Sequence, residues 1–227
     1  MKTNTLLKSY LAFSALYLAI LLLELETIAG FMKPVLILLL IAAVYLSASF
    51  TSKKLLLIAL LFSWIGDIIL LFADRGEFYF IFGLVAFLIS HVVYIFLFNK
   101  QLKPKKDHNR AIYWSGVTAI IAYLMIFLSI LLPSLGELTI PVFVYALVIS
   151  TMLLFALKGF LIWQKPASWY VLLGAIVFVS SDSILAFDKF YSPIMYNSFF
   201  IMVTYILAQY LIVVGILKLN QKNSILN

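Results

Sequence analysis

Eight apolar runs, each close to the 17 to 25 residues a helix needs to cross a bilayer's hydrocarbon core, alternate with short polar breaks at about 9–28, 34–50, 54–73, 78–98, 112–132, 138–158, 168–187 and 194–217. The pattern predicts an all-α fold, a polytopic membrane helical bundle of eight transmembrane helices forming one integral membrane domain over 1–227. The first run is too long and too apolar at its far end for a cleaved leader, and it is read as a true span. Short connections favour a bundle in which sequential helices are neighbours. The one long polar linker, NKQLKPKKDHNR at 99–110, divides the chain into four spans and four.

Composition supports this class. Hydrophobic residues make up 65% of the chain, charged residues only 11%, and the mean hydropathy is +1.14. A soluble globular domain is excluded. The net charge of +7 does not point to nucleic acid, because the basic residues are spread over alternate loops. Lys2, Lys8, Lys53, Lys54, the 99–110 linker, Lys158, Lys165, Lys218 and Lys222 fall on one side of an eight-span arrangement, against Lys33, Arg75 and Lys189 on the other. The positive-inside rule then predicts a cell-membrane protein with both termini cytoplasmic. Glu24, Glu26, Asp74, Glu77, Glu137 and Asp188 collect outside. The linker is expected to act as a topology anchor near anionic lipid. Trp64, Trp163 and Trp169 are read as interface belt and packing.

Two carboxylates break the apolar pattern. Asp67 lies in FSWIGDIILLF and Asp182 in VFVSSDSILAF. An ionisable group at membrane depth costs several kcal/mol or more, so it is kept for a partner or a task. Asp67 is thirteen residues past Lys54 and Asp182 fifteen past Ala167, which at 1.5 Å per residue puts both roughly 20 Å from the inner boundary. Superposing the two stretches aligns Leu70 with Leu185 and Phe72 with Phe187. The offset of four spans is that of a possible 4+4 parallel internal repeat.

Other polar residues occur on spans of opposite direction: Lys33 just before Pro34 at the outer mouth of the second span, His91 and Tyr94, Tyr145, and Tyr205 with Gln209. A polar cavity opening outward would satisfy them together. Ser180 and Ser181 precede Asp182, and at least one is expected to bond its own helix backbone. No Cys is present, which removes thiol chemistry and Cys-based metal sites. With His91 and His108 the only histidines, a three-His zinc site cannot be built, and neither metal nor cofactor is expected. A Ser nucleophile would lack the elbow motif of the hydrolases.

Lys33-Pro34, Gly66-Asp67, the Gly83, Phe87, His91, Tyr94 spacing, Tyr145 with Met152, Gly174 through Ser181-Asp182, and Tyr205 with Ala208-Gln209 together resemble the YhhN-like lysoplasmalogenase family of eight-span membrane proteins, over roughly residues 10–217. The resemblance implies a lysophospholipid substrate drawn from the membrane, and hydrolysis of its vinyl ether bond to a fatty aldehyde and a glycerophospho-headgroup. Protonating the alkene and stabilising the resulting cation suits paired carboxyl groups. Asp67 and Asp182 are therefore the expected catalytic pair, and Lys33, His91, Tyr94, Tyr145, Ser181, Tyr205 and Gln209 the expected substrate contacts. Intramembrane Asp and parallel repeats also mark proton-coupled transporters, although the spans lack paired Gly or Pro breaks near either Asp. A lipid-binding bundle without turnover is the third reading.

Overall fold

The computed structural model describes residues 2–102 and 109–221. Lys103–His108 of the basic linker, and Lys222, lie outside the described residues. The described residues form eight α-helices: α1 (Lys2–Leu22), α2 (Glu26–Tyr45), α3 (Lys53–Leu70), α4 (Glu77–Gln101), α5 (Arg110–Leu131), α6 (Thr139–Ile162), α7 (Ala167–Phe190) and α8 (Asn197–Gln221). Seven of them are long and apolar enough to cross a membrane. The chain is a multi-pass membrane protein. The remaining helix, α3, has 18 residues and carries Lys53, Lys54 and Asp67.

Six helices keep the expected placement within a few residues at each end, but the first two begin about seven or eight residues earlier than their apolar runs. The reason is local. After Leu22 the chain closes a Schellman motif, in which the Leu25 amide donates to Ile20 O at 3.2 Å and the Glu24 amide to Leu21 O at 3.0 Å. Glu24 occupies the left-handed position at φ 58°, where glycine is the usual residue. With no Gly or Pro to mark the stop, the apolar run LLLEL conceals it. One consequence is that Lys33 and Pro34 stand inside α2 rather than at its mouth.

The helices cluster into two compact units, the first built from α1 to α3 and α4 as far as Leu97, the second spanning Phe98–Leu219. In the first unit, Ser90 donates to Ala59 O at 2.9 Å, so its other contact, with Ser63 at 2.8 Å, has Ser63 as donor. That chain of hydroxyls ties α4 to α3. Trp64 donates its indole N–H to Pro34 O at 2.9 Å, joining α3 to α2. Lys53 Nζ donates to Tyr45 O at 2.8 Å and Ser47 O at 2.7 Å, placing a cation on the carbonyl end of α2, where the helix dipole favours it.

In the second unit, α7 and α8 cross at two glycines. A Cβ on Gly174 would lie 2.9 Å from Ile212 N and 3.1 Å from Ala208 O, and one on Gly215 would lie 3.0 Å from Val171 N and 3.1 Å from Ala167 O. Hydrocarbon offers no hydrophobic drive between helices, so close backbone approach at small residues supplies the dispersion that does. At the far end Asp188 accepts from the Ile194 amide and from Asn197 Nδ2, both at 2.7 Å, organising the turn into α8. Trp163, almost buried, donates to Gln101 O at 3.1 Å.

Candidate functional site

The candidate residues divide between the two units: Lys33, Asp67, His91 and Tyr94 in the first, Tyr145, Ser181, Asp182, Tyr205 and Gln209 in the second. Each group is built around one aspartate.

In the first unit Asp67 lies three residues from the end of α3, where the helix carbonyls make a negative charge unfavourable. Compensation comes from α2: Lys33 Nζ stands 3.8 Å from Asp67 Oδ1. The aspartate side chain is 3% exposed and the lysine 16%. Tyr10 and Tyr17, from α1, are both within electrostatic reach of the same carboxylate. They were not legible as site residues, because the first span carries no spaced motif of the kind that marks Tyr94, Tyr145 and Tyr205. His91 and Tyr94 are fully buried on α4. Gly66, beside the aspartate, leaves room for Phe87, whose ring would meet an added Cβ at 2.7 Å.

In the second unit Tyr145 of α6 donates its hydroxyl to Asp182 Oδ2 at 2.6 Å. Both side chains line a cavity of about 40 Å³ bordered by α5, α6 and α7. Ser183 donates to Val179 O at 2.5 Å. Its single hydrogen is thereby committed, so in the short contact with Tyr123 of α5 the tyrosine is the donor. Tyr123 also feels the Asp182 carboxylate. Ser180 bonds Ile176 O of its own helix at 3.0 Å, as expected for one of the serine pair, while Ser181 donates to Ile201 O of α8 at 3.0 Å. Gln209 reaches Tyr205 along α8, Nε2 to hydroxyl 3.4 Å, both buried. Phe178 packs edge-on against Tyr205.

The two units share a plan. In each, the third helix carries the aspartate, the second helix supplies its partner, and the first supplies tyrosine. Such a site can hold and move protons in a low-dielectric setting. Among the described residues, no three His, Asp or Glu side chains stand close enough to share a metal ion.

The model of the YhhN family matches residues 28–216. The chain belongs to the YhhN family. Among relatives of this YhhN-family chain, bovine (Bos taurus) lysoplasmalogenase TMEM86A is 32% identical over 159 residues, covering 68% of this chain and 62% of the relative. Human lysoplasmalogenase TMEM86B is 30% identical over 166 residues, with 70% and 62% covered. The lysoplasmalogenase of Mycobacterium tuberculosis is 32% identical over 146 residues, with 61% and 51% covered. The chain thus spans about three-fifths or less of the length of these curated relatives. No solved structure matches it.

Proposed function

We propose that this protein is a membrane-embedded hydrolase that cleaves the vinyl ether bond of lysoplasmalogen-type lysolipids. The observation that carries the reading is the Asp182 carboxyl, held by Tyr145 on the wall of a cavity whose lining is mostly hydrocarbon. Family membership and relatives named lysoplasmalogenase support it.

The chemistry follows from the bond. A proton added to the outer alkene carbon leaves an oxocarbenium ion at the carbon attached to oxygen. Water adds there and loses a proton, and the resulting hemiacetal collapses to fatty aldehyde and the free glycerol hydroxyl. The reaction calls for a proton donor and for a base or counter-charge, the division of labour that paired carboxyl groups perform in glycosidases. Asp67 and Asp182 are the carboxyl groups proposed for it. Lys33 and Tyr145 act through the carboxylates they touch. His91 and Tyr94 in the first unit, and Ser181, Tyr205 and Gln209 in the second, are the further polar side chains proposed as substrate contacts. The shared plan of the two units supports descent from a duplicated four-helix element.

The test is to incubate the purified protein with matched lysolipids bearing a 1-alkenyl, 1-alkyl or 1-acyl chain and to follow aldehyde release. Turnover confined to the alkenyl lipid is expected. Proton-coupled uptake into vesicles with no aldehyde formed would replace the hydrolase with a carrier.

A further inference from the structure

The cavity beside Asp182 has a composition the carboxylate alone does not explain. Apart from Asp182, Tyr145, Tyr123 and two serines, its walls are hydrocarbon, supplied chiefly by Phe127, Val142, Ala146, Ile149, Val179 and Ala186. It is not sealed. Tyr123 at its α5 edge is 37% exposed, and α5 is among the least buried spans, with only 17% of its apolar stretch covered by the rest of the chain. The exposed neighbours of Tyr123 on α5, Ile121, Met125 and Ile126, are apolar, as a helix face turned to lipid tails requires, and an opening on that edge leads into the bilayer. The hydroxyls at the edge do not obstruct an apolar guest, because Tyr123 is turned onto Ser183 and Ser183 onto the Val179 carbonyl. A volume of about 40 Å³ admits roughly three groups the size of a water or a methylene. That is too small for a whole lipid and sufficient for a few carbons of one straight chain with the atom that links them to the headgroup.

We propose that the cleft between α5, α6 and α7 is the docking site for the first few carbons of a single-chain ether lipid, which enters sideways from the bilayer and brings its chain-to-headgroup link to Asp182. The apolar walls match the chain, the carboxyl and the Tyr145 hydroxyl match the polar link, and the remainder of the chain stays in the membrane. The proposal rests on the hydrolase reading and names where its substrate binds. Ala146 sets the fit, because it is the small apolar residue on the α6 wall, one turn before Ser150, and is 7% exposed.

The test uses the full-length protein in nanodiscs with a saturated 1-O-alkyl lysophosphocholine that carries a photoreactive diazirine near the ether oxygen and cannot be hydrolysed as a vinyl ether. Cross-links on Phe127, Val142, Ala146 and Ile149 are expected, displaced by unlabelled single-chain ether lipid and not by diacyl lipid. Ala146→Leu and Val179→Phe each fill the cleft and should abolish those cross-links, whereas Ala122→Leu, on the exposed side of α5, should keep them. Should both filled variants misfold, the cross-link map of the parent protein decides by itself. Labels spread evenly over the lipid-facing surface, as a diacyl probe would give, overturn the proposal. Aldehyde release without cleft labelling sinks the docking site and leaves the hydrolase standing. Cleft labelling with no turnover on any lysolipid does the reverse.

Discussion

Lys33 reaches from the second turn of α2 to the end of α3 and stands 3.8 Å from Asp67, so the most buried carboxylate of the first unit has a cation beside it. The two members are not equally shielded. The lysine, at 16% exposure, keeps a route outward for its flexible stem, and the aspartate at 3% does not.

That asymmetry sets the outcome of a double-mutant cycle. Lys33→Met removes the cation beside a buried carboxylate and should cost about 3–5 kcal/mol of stability, the range for breaking a buried pair from one side. Asp67→Asn leaves a lysine that can turn away, and should cost clearly less. The double variant should resemble Asp67→Asn. Unfolding in mixed micelles measures all three, and simple additivity would show that the pair carries no coupling.

Turnover should respond differently from stability. Asp67→Asn and Asp182→Asn keep side-chain shape, and each should fold while losing at least about 100-fold in kcat, the scale for removing an acid or base. Adding the second change should do little more, since groups serving one reaction are not additive. An Asn variant with near-parent aldehyde release and a lowered melting temperature would reduce that aspartate to a structural link.

The α7–α8 crossing makes a prediction about packing alone. Gly174→Ala and Gly215→Ala each put a methyl within about 3 Å of backbone on the facing helix, where no rotamer can yield, and each should destabilise by about 1–3 kcal/mol. Gly30→Ala is the control, with its nearest neighbour at 4.0 Å, and should be neutral or slightly stabilising. Equal effects at all three sites would place the close approach elsewhere.

Topology is open to a direct check. Reporter fusions should read both termini and the 99–110 linker as cytoplasmic, with the connections at Glu24 and Glu137 outside. An external signal from the basic linker would invert the arrangement.

Helix number and class were legible from hydropathy because, in a bilayer, backbone groups have no water to bond and apolar length alone calls for a helix. Asp67 and Asp182 were equally legible, since a charge in such a run is costly wherever it points. Boundaries were less so. The stop at Leu22 depends on Glu24 adopting a left-handed backbone, and no residue type announces that.

The sequence by itself determined a polytopic helical protein with two membrane-depth carboxylates and a surrounding set of polar residues, because each of those properties is local to its own span. Which side chains meet was decided only by tertiary packing. Lys33 read as a residue at the helix mouth became the counter-ion of Asp67 once α2 began at Glu26. Tyr10 and Tyr17 came within electrostatic reach of the same carboxylate from a helix with no polar motif. Tyr145 found Asp182, and Tyr123 found Ser183. The physical reason is that hydropathy reports transfer of one residue between two media, whereas an ion pair or a hydrogen bond depends on the rotation of two helices about their own axes, and glycine contacts such as Gly174 against Ile212 set that rotation.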